Sequence, residues 1–498
     1  MNMISYARLI ELTVPEIFLA VTMLLVLAVD LSVGRPWTLI RRRVVAACIT
    51  CLGCGAAILW LGLGAGVPDA SEIGWAMDPL TRMMKQIILV LTVATAVIAL
   101  ESEFTHHVGE YFALLLLGTL GLLCLTSAMD LLLIFISLEL TSLSLYILTA
   151  FHKQARSSVE AALKYFLFGA VAAAFMLFGL SWIYGITGQT QLGQVASQLA
   201  GRTQEPMVLA ALVMVLIGFG FKVAAAPFHL WAPDTYQGAP IPSAAFIASG
   251  SKVAGFFVLA KVMLLGFAGA AGSGSWRAFA AGWMPVLAVM ALISMGLGNL
   301  AALAQTGVKR LLAYSAIAHA GYILVGLLAG NAQGLAAVVY YVVTYALTVV
   351  GAFGVVAVVV ERTGSDSMTA FAGLSRRAPW LSLFMLVFLL SLAGIPPLAG
   401  FFGKFFLFAA ALRSTSANLG LLWLVILALG FSVVSLYYYL QVLKQIYVAD
   451  PAADAVTVRP LVSTQVILGG LAVMVVLLGA MPGAFLTRLQ SAIQAAGF

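Results

Sequence analysis

Residues 218–233 read GFGFKVAAAPFHLWAP, and residues 391–406 read SLAGIPPLAGFFGKFF. Each sets a lysine, Lys222 or Lys404, in an apolar run that also holds glycine and proline. Proline removes a backbone donor and clashes with the preceding turn, while glycine tolerates unwinding. The second run lies within an apolar stretch from Trp380 to Leu412, 33 residues long. As one straight helix, such a stretch extends about 50 Å against a hydrocarbon core of about 30 Å. Both runs therefore predict a membrane helix interrupted part-way. Unwound backbone is tolerated at membrane depth only where it is buried or lines a wet cavity.

The rest of the chain is of the same kind. Of 498 residues, 63% are hydrophobic and 9% charged, where a soluble domain carries about 25% charged residues. The reading is an all-α polytopic membrane protein with about fourteen transmembrane helices. Spans fall near 12–32, 44–64, 83–100, 110–128, 130–151, 159–185, 207–228, 241–268, 281–303, 309–330, 335–361, 380–412, 418–446 and 461–482. The opening MNMISYARLIELTVPE lacks a small-residue cleavage site and reads as leading into a retained first span.

Each interrupted helix is the fourth span of a five-span block, helices 4–8 and helices 9–13. Because five is odd, consecutive blocks have opposite orientation. That is the pattern of inverted repeats, whose interrupted segments mark a transport site. The chain then divides into N-terminal helices 1–3 (1–108), a first repeat (109–268), a second repeat (269–447) and a C-terminal helix (448–498).

Lysine and arginine set the orientation. The odd-numbered loops and their flanks hold thirteen of the 25, from Arg35 and Arg41 to Lys444 and Arg459, against seven in the even loops and termini, among them Arg8 and Lys85. The positive-inside rule places the odd loops in the cytoplasm and both termini outside. A pI near 9.2 thus reflects topology and anionic lipid rather than nucleic acid. Cys48, Cys51 and Cys54 form C-x-x-C-x-x-C within a span, with no fourth cysteine at cluster spacing. They read as small residues packing a helix face rather than as ligands of an iron–sulfur cluster.

Five charged residues lie inside the apolar runs and carry the chemistry: Glu139, Lys164, Lys222, Lys252 and Lys404. A charge at the bilayer centre costs about 2.5–3.5 kcal/mol even on the lenient insertion scale. A chain that keeps several uses them, and proton or ion conduction is the leading use. A lysine shielded from water can both load and release a proton near neutrality. The alternative is a structural lysine that snorkels to the interface, which suits Lys261 best, nine residues beyond Lys252 on the way out. Glu139 reads as the one acidic residue deep within a span. Facing Lys222 at about 6 Å and an effective dielectric near 20, it would attract the ammonium by about 2.8 kcal/mol. Its movement could therefore gate that lysine. His229 and His319 are relay candidates or packing histidines, and two isolated histidines do not make a haem site. No Walker loop, dinucleotide fingerprint, nucleophile elbow or metal-ligand cluster is present in the sequence.

Four segments carry a resemblance: ARSSVEAALKYFLFGAVAAAFMLFG (155–179), FGFKVAAAPFHLWAPDTYQGAP (219–240), VKRLLAYSAIAHAGY (308–322) and LAGIPPLAGFFGKFF (392–406). They resemble the antiporter-like membrane subunits of respiratory complex I, closest to the N-type subunit of NADH:quinone oxidoreductase. The resemblance implies inverted repeats of helices 4–8 and 9–13 with a half-channel in each. It implies a proton relay of Glu139, Lys222, Lys252 and Lys404, with Lys164 matching a further family lysine. The M-type subunit carries glutamate where Lys404 stands, and the L-type carries a long C-terminal extension, so both features favour the N-type. Mrp-type cation/proton antiporter and membrane-bound hydrogenase subunits share the fold and are the alternative. The implied function is proton translocation from cytoplasm to periplasm in a bacterial inner membrane, coupled to quinone reduction elsewhere. The implied partners are neighbouring antiporter-like and small helical subunits and lipid, with no nucleic acid. NADH, FMN, Fe–S clusters and quinone are expected in partner subunits, and no cofactor in this chain.

Overall fold

The computed structural model describes residues 10–63, 74–202, 204–414, 420–451 and 456–498. The helices are α1 (Val14–Leu31), α2 (Leu39–Leu63), α3 (Pro79–Ile98), α4 (Val108–Ser127), α5 (Leu131–Thr149), α6 (Arg156–Thr187), α7 (Leu192–Gln198), α8 (Pro206–Val223), α9 (Trp231–Gly238) and α10 (Ile241–Ala248). They continue as α11 (Gly250–Lys261), α12 (Trp283–Leu303), α13 (Val308–Leu327), α14 (Ala332–Thr363), α15 (Leu374–Arg377), α16 (Pro379–Ala393), α17 (Ala399–Arg413), α18 (Leu422–Tyr447), α19 (Val462–Ala480) and α20 (Pro482–Ala495). A small antiparallel hairpin pairs β1 (Ser273–Ser275) with β2 (Ala278–Ala280). Among the described residues, thirteen segments are long and apolar enough to cross a membrane, with Ile241–Gly266 counted as one. The shorter α16 together with α17 makes the interrupted span, so the reading of about fourteen spans stands.

Local chemistry starts and stops these helices. Asp78 caps α3 by accepting from the Thr81 N–H at 2.9 Å, with Pro79 in the first turn. Asp130 caps α5 in the same way through Leu132 and Leu133. Both predicted breaks are present, and both begin with the same cap. Helix α8 ends at Ala224 (φ 56°), with the Ala225 N–H bonded to Gly220 O at 2.8 Å. Helix α16 ends at Gly394 (φ 87°), with the Ile395 N–H bonded to Leu390 O at 3.0 Å. This is the left-handed helix terminus that satisfies otherwise free carbonyls. A cis proline follows in each case, Pro227 and Pro397.

Three features go beyond the sequence reading. The eighth span is not one straight helix: it stops at Ala248, resumes at Gly250 and passes into a π-helical turn, Val262–Gly266. Lys222 precedes its break, whereas Lys404 follows its own, so the two lysines do not occupy mirrored positions. Helix α14 is buried on every side, with each residue from Gly334 to Val359 inside the bundle. It packs against α3, α10, α11, α13, α16, α17, α19 and α20 and forms the hub of the fold. The cysteines Cys48, Cys51 and Cys54 are free on the intact α2. Of the residues used for orientation, Arg8 lies outside those described.

Candidate functional site

The site is built on the breaks and on the hub. Lys222, in the last turn of α8, is buried, and its Nζ donates to Ser142 Oγ on α5 at 3.3 Å. Glu139 lies one turn before Ser142. It is half-buried and within electrostatic reach of Lys222, but no ion pair joins them. On the other side Lys222 lies against α11. A Cβ at Gly255 would stand 3.5 Å from Lys222 Cγ, an ordinary packing distance that sets the lysine stem against α11. Gly255 is three residues beyond Lys252, which places the two lysines on adjoining turns of packed helices.

Lys252 is 1% exposed and donates to the Ala316 carbonyl of α13 at 2.5 Å. Its ammonium also lies 5.5 Å from the centre of the Tyr345 ring on α14. His319, one turn beyond Ala316, continues the row. Its Nδ1 is 2.6 Å from Tyr341 Oη and its Nε2 is 3.1 Å from Tyr439 Oη, and its ring lies 5.0 Å from that of Tyr345. Tyr439 also bonds Ser315 Oγ and packs on Tyr438. Tyr438 Oη donates to Asn299 Oδ1 at 3.1 Å, and Asn299 Nδ2 donates to Tyr322 Oη at 3.0 Å. The Tyr322 ring lies 5.1 Å from Lys404 Nζ. Lys404 is 5% exposed and donates to the Ala393 carbonyl at 3.0 Å and to Ser432 Oγ at 2.8 Å. A carbonyl freed by the second break thus holds the lysine. Gly394 leaves room for its stem, since a Cβ there would stand 3.1 Å from Lys404 Cδ.

Polar and aromatic side chains therefore fill the space between Lys252 and Lys404. Hydroxyls can donate and accept in turn, and a neutral imidazole does both at its two nitrogens. The file sets an imidazole, phenol hydroxyls and the Asn299 amide between a lysine at each end.

The other candidates lie elsewhere. Lys164 is 41% exposed and pairs with Glu160 at 2.7 Å and Asp234 at 2.8 Å, while Asp234 also holds Arg310 at 3.0 Å. It lies within the apolar helix α6, but in a partly exposed ionic cluster apart from the buried file. His229 is buried in the first break. Its Nδ1 has no hydrogen-bond partner, and it joins none of the contacts that link Lys252 to Lys404.

Two further expectations are overturned. Lys261 does not snorkel: it is 2% exposed, and its Nζ donates to the carbonyls of Thr126 at 2.7 Å and Ala128 at 3.3 Å at the end of α4. Lys85 is no loop-flank residue, being fully buried in α3 and paired with Glu16 at 2.7 Å. Glu16 is buried too, but it lies in the first turn of α1, whereas Glu139 lies mid-helix in α5. Sequence reasoning also missed Asn299, Tyr322, Tyr341, Tyr345, Tyr438 and Tyr439. The available signal was the four-residue spacing of Tyr341 and Tyr345 and the three-residue spacing of His319 and Tyr322, which set polar groups on one helix face. Among the described residues, no group of three or more His, Cys, Asp or Glu could hold a metal ion.

Comparison with known proteins follows the same lines. Residues 128–435 match the family described as NADH:quinone oxidoreductase/Mrp antiporter, TM. The chain is 51% identical over 499 residues to NADH-quinone oxidoreductase subunit N 2 of Acidobacterium capsulatum, with 98% of this chain and 100% of that one covered. It is 38% identical to NADH-quinone oxidoreductase subunit N 1 of Roseiflexus castenholzii, over 88% of this chain and 84% of that one. Its fold superposes on a chain of respiratory complex I from Thermus thermophilus, solved with bound aureothin, with a TM-score of 0.78. That pair is 35% identical over 95% of this chain and 99% of the other. A chain of the Mrp complex from Dietzia sp. gives a TM-score of 0.80 at 20% identity, over 98% of this chain and 97% of that one, a likeness of fold alone.

Proposed function

The chain belongs to the NADH:quinone oxidoreductase/Mrp antiporter family of membrane proteins, and from that premise we propose how it works: as the N-type membrane-arm subunit of an NADH:quinone oxidoreductase, carrying protons across the membrane. The observation that carries the mechanism is the polar file from Lys252 through His319 and the tyrosines to Lys404, with Lys222 on the adjoining turn. A proton is taken up at Lys222, under the influence of Glu139, and passes to Lys252. From Lys252 it moves along the imidazole and phenol groups to Lys404 and leaves on the far side. Each lysine is shielded from water, so its charged form is costly and is exchanged rather than kept. Lys164 and His229 lie outside this path. The matching caps at Ala224 and Gly394 support inverted repeats of helices 4–8 and 9–13, joined through α14.

The chain supplies the proton path and no redox centre. NADH, FMN, Fe–S clusters and quinone belong to partner subunits of the same enzyme, among which neighbouring antiporter-like and small helical subunits contact this one. The multi-pass chain resides in a bacterial inner membrane with both termini periplasmic, and cysteine labelling from each side tests that orientation. The decisive experiment is Lys222→Ala and Lys252→Ala in the assembled enzyme. Both are expected to leave NADH oxidation by an artificial acceptor intact while depressing coupled quinone reduction and pumping. Wild-type pumping per NADH in either variant overturns the assignment. A cation/proton antiporter function predicts instead sodium-dependent proton exchange in vesicles without NADH.

A further inference from the structure

A second set of buried charges lies outside that file. Glu16 on α1 and Lys85 on α3 form an ion pair at 2.7 Å, the glutamate 6% exposed and the lysine 0%. Neither helix belongs to the two five-helix blocks. Glu16 uses only one carboxylate oxygen: its Oε2 is buried with no hydrogen-bond partner. Lys85 Nζ also touches Met77 Sδ at 3.9 Å and lies 5.3 Å from the centre of the Trp75 ring. The last turns of α4 complete the corner. Cys124 lies within electrostatic reach of both Glu16 and Lys85, and just beyond it the carbonyls of Thr126 and Ala128 hold Lys261. Lys261 shares α11 with Lys252 and opens directly into the π-helical turn at Val262; such turns are frequent at functional sites. Helix α3 packs on α11 and on α14, the helices that carry Lys252, Tyr341 and Tyr345.

Stability does not account for the pair. Replacing a buried ion pair with well-packed apolar side chains is often neutral or stabilising. An orphaned carboxylate oxygen adds to the cost of keeping it. Ionisable groups held within membrane helices against that cost mark transport paths by default.

We propose that Glu16 and Lys85 are a proton-exchanging pair serving the same transport from this outer corner of the bundle, a role that rests on the proton-carrying function proposed above. Lys85 passes one Nζ proton across the 2.7 Å contact to Glu16, leaving a neutral amine beside a neutral acid. Glu16 then releases that proton from its free Oε2 to water and regains its carboxylate, and Lys85 takes the next one from water. The pair returns to its starting charge after each transfer.

The test uses the whole assembled enzyme reconstituted in vesicles, with protons pumped per NADH as the readout. Lys85→Arg preserves the ion pair but cannot give up its proton. A merely structural pair predicts wild-type pumping in this variant, whereas proton exchange predicts its loss with the enzyme still assembled. The Glu16→Gln/Lys85→Met double variant removes both charges together and leaves no uncompensated ion, so it covers the case in which arginine does not fit. Loss of pumping in an assembled variant supports the proposal; wild-type pumping in either one overturns it. Lys252→Ala measured alongside separates the two ideas. If it too pumps normally, the transport function itself is wrong. If it is inactive while the Glu16 and Lys85 variants pump normally, only the second site falls.

Discussion

His319→Phe is the most informative single change in the file. The ring keeps much of the imidazole's shape and its contacts with Tyr322, Tyr341 and Tyr345, but loses both nitrogens. Tyr439 retains Ser315 as a partner, so one hydroxyl, that of Tyr341, is left without its bond at a residue 1% exposed. An unpaired buried hydroxyl costs about 1–3 kcal/mol in soluble proteins. Hydrogen bonds between membrane helices average about 0.6 kcal/mol and reach about 1.7. The expected destabilisation is thus about 1–2 kcal/mol, small against the roughly 5–15 kcal/mol of a typical domain, and the enzyme should assemble. Transport responds differently. The imidazole spans the 2.6 Å and 3.1 Å contacts on its two sides, and phenylalanine offers no proton carrier across that gap. Positioned proton-transfer groups typically contribute about 10²–10⁴-fold in rate, so coupled turnover should fall by at least about tenfold, roughly 1.4 kcal/mol in barrier. The assay is NADH:quinone turnover and pumping in reconstituted enzyme, beside a thermal denaturation curve. If His319→Phe assembles, loses about 1–2 kcal/mol and still pumps at the wild-type rate, the path does not run through the imidazole.

Other expectations follow from the same geometry. Glu139→Gln removes the charge within reach of Lys222 and should impair turnover more than Glu139→Asp; equal, wild-type rates for both would reduce Glu139 to a packing residue. Lys222→Arg should not restore the function lost in Lys222→Ala, because arginine does not release its proton near neutrality; recovery of pumping would contradict the carrier role. Gly394→Ala forces an alanine into φ 87° and sets its Cβ 3.1 Å from Lys404 Cδ, and a left-handed residue alone costs about 1–2 kcal/mol; lower thermal stability with depressed pumping is expected, and unchanged values of both would refute it. Lys164→Ala should cost little, as Asp234 keeps Arg310 and exposed pairs contribute about 0–1 kcal/mol; an inactive but assembled variant would show that the rim cluster matters to transport.

What was legible in the sequence was whatever breaks a rule locally. Proline beside lysine in an apolar run announces an interrupted helix, and both interruptions lie where residues 218–233 and 391–406 placed them. The bend at Ser249 was not legible, since no proline marks it and Ser249-Gly250-Ser251 reads as a small-residue stretch. Lys261 was misread because sequence shows its distance from the span end but not the α4 carbonyls that capture it. The Glu16–Lys85 pair joins residues 69 positions apart, each near a span end, where a charge looks unremarkable. The tyrosine file was hidden for another reason. A tyrosine in an apolar run reads as packing, and its polar role emerges only when α13, α14 and α18 bring three hydroxyl-bearing faces together around Asn299 of α12.

The enclosure of α14 bears on how the protein is made. Its 32 residues are apolar enough to enter lipid unaided, yet in the finished bundle none of its middle touches lipid. Four of its neighbours, α16, α17, α19 and α20, are synthesised after it. The growing chain must therefore first dissolve α14 in the bilayer and later strip it of acyl chains as those helices arrive. Between helices there is little hydrophobic drive in lipid, so this second stage depends on close fit and on bonds such as Tyr340 Oη to the Leu478 carbonyl. A chain ending before Val462 would leave the hub with an open flank facing lipid, a defect of biogenesis rather than of proton transfer, visible to membrane proteases before any turnover is measured.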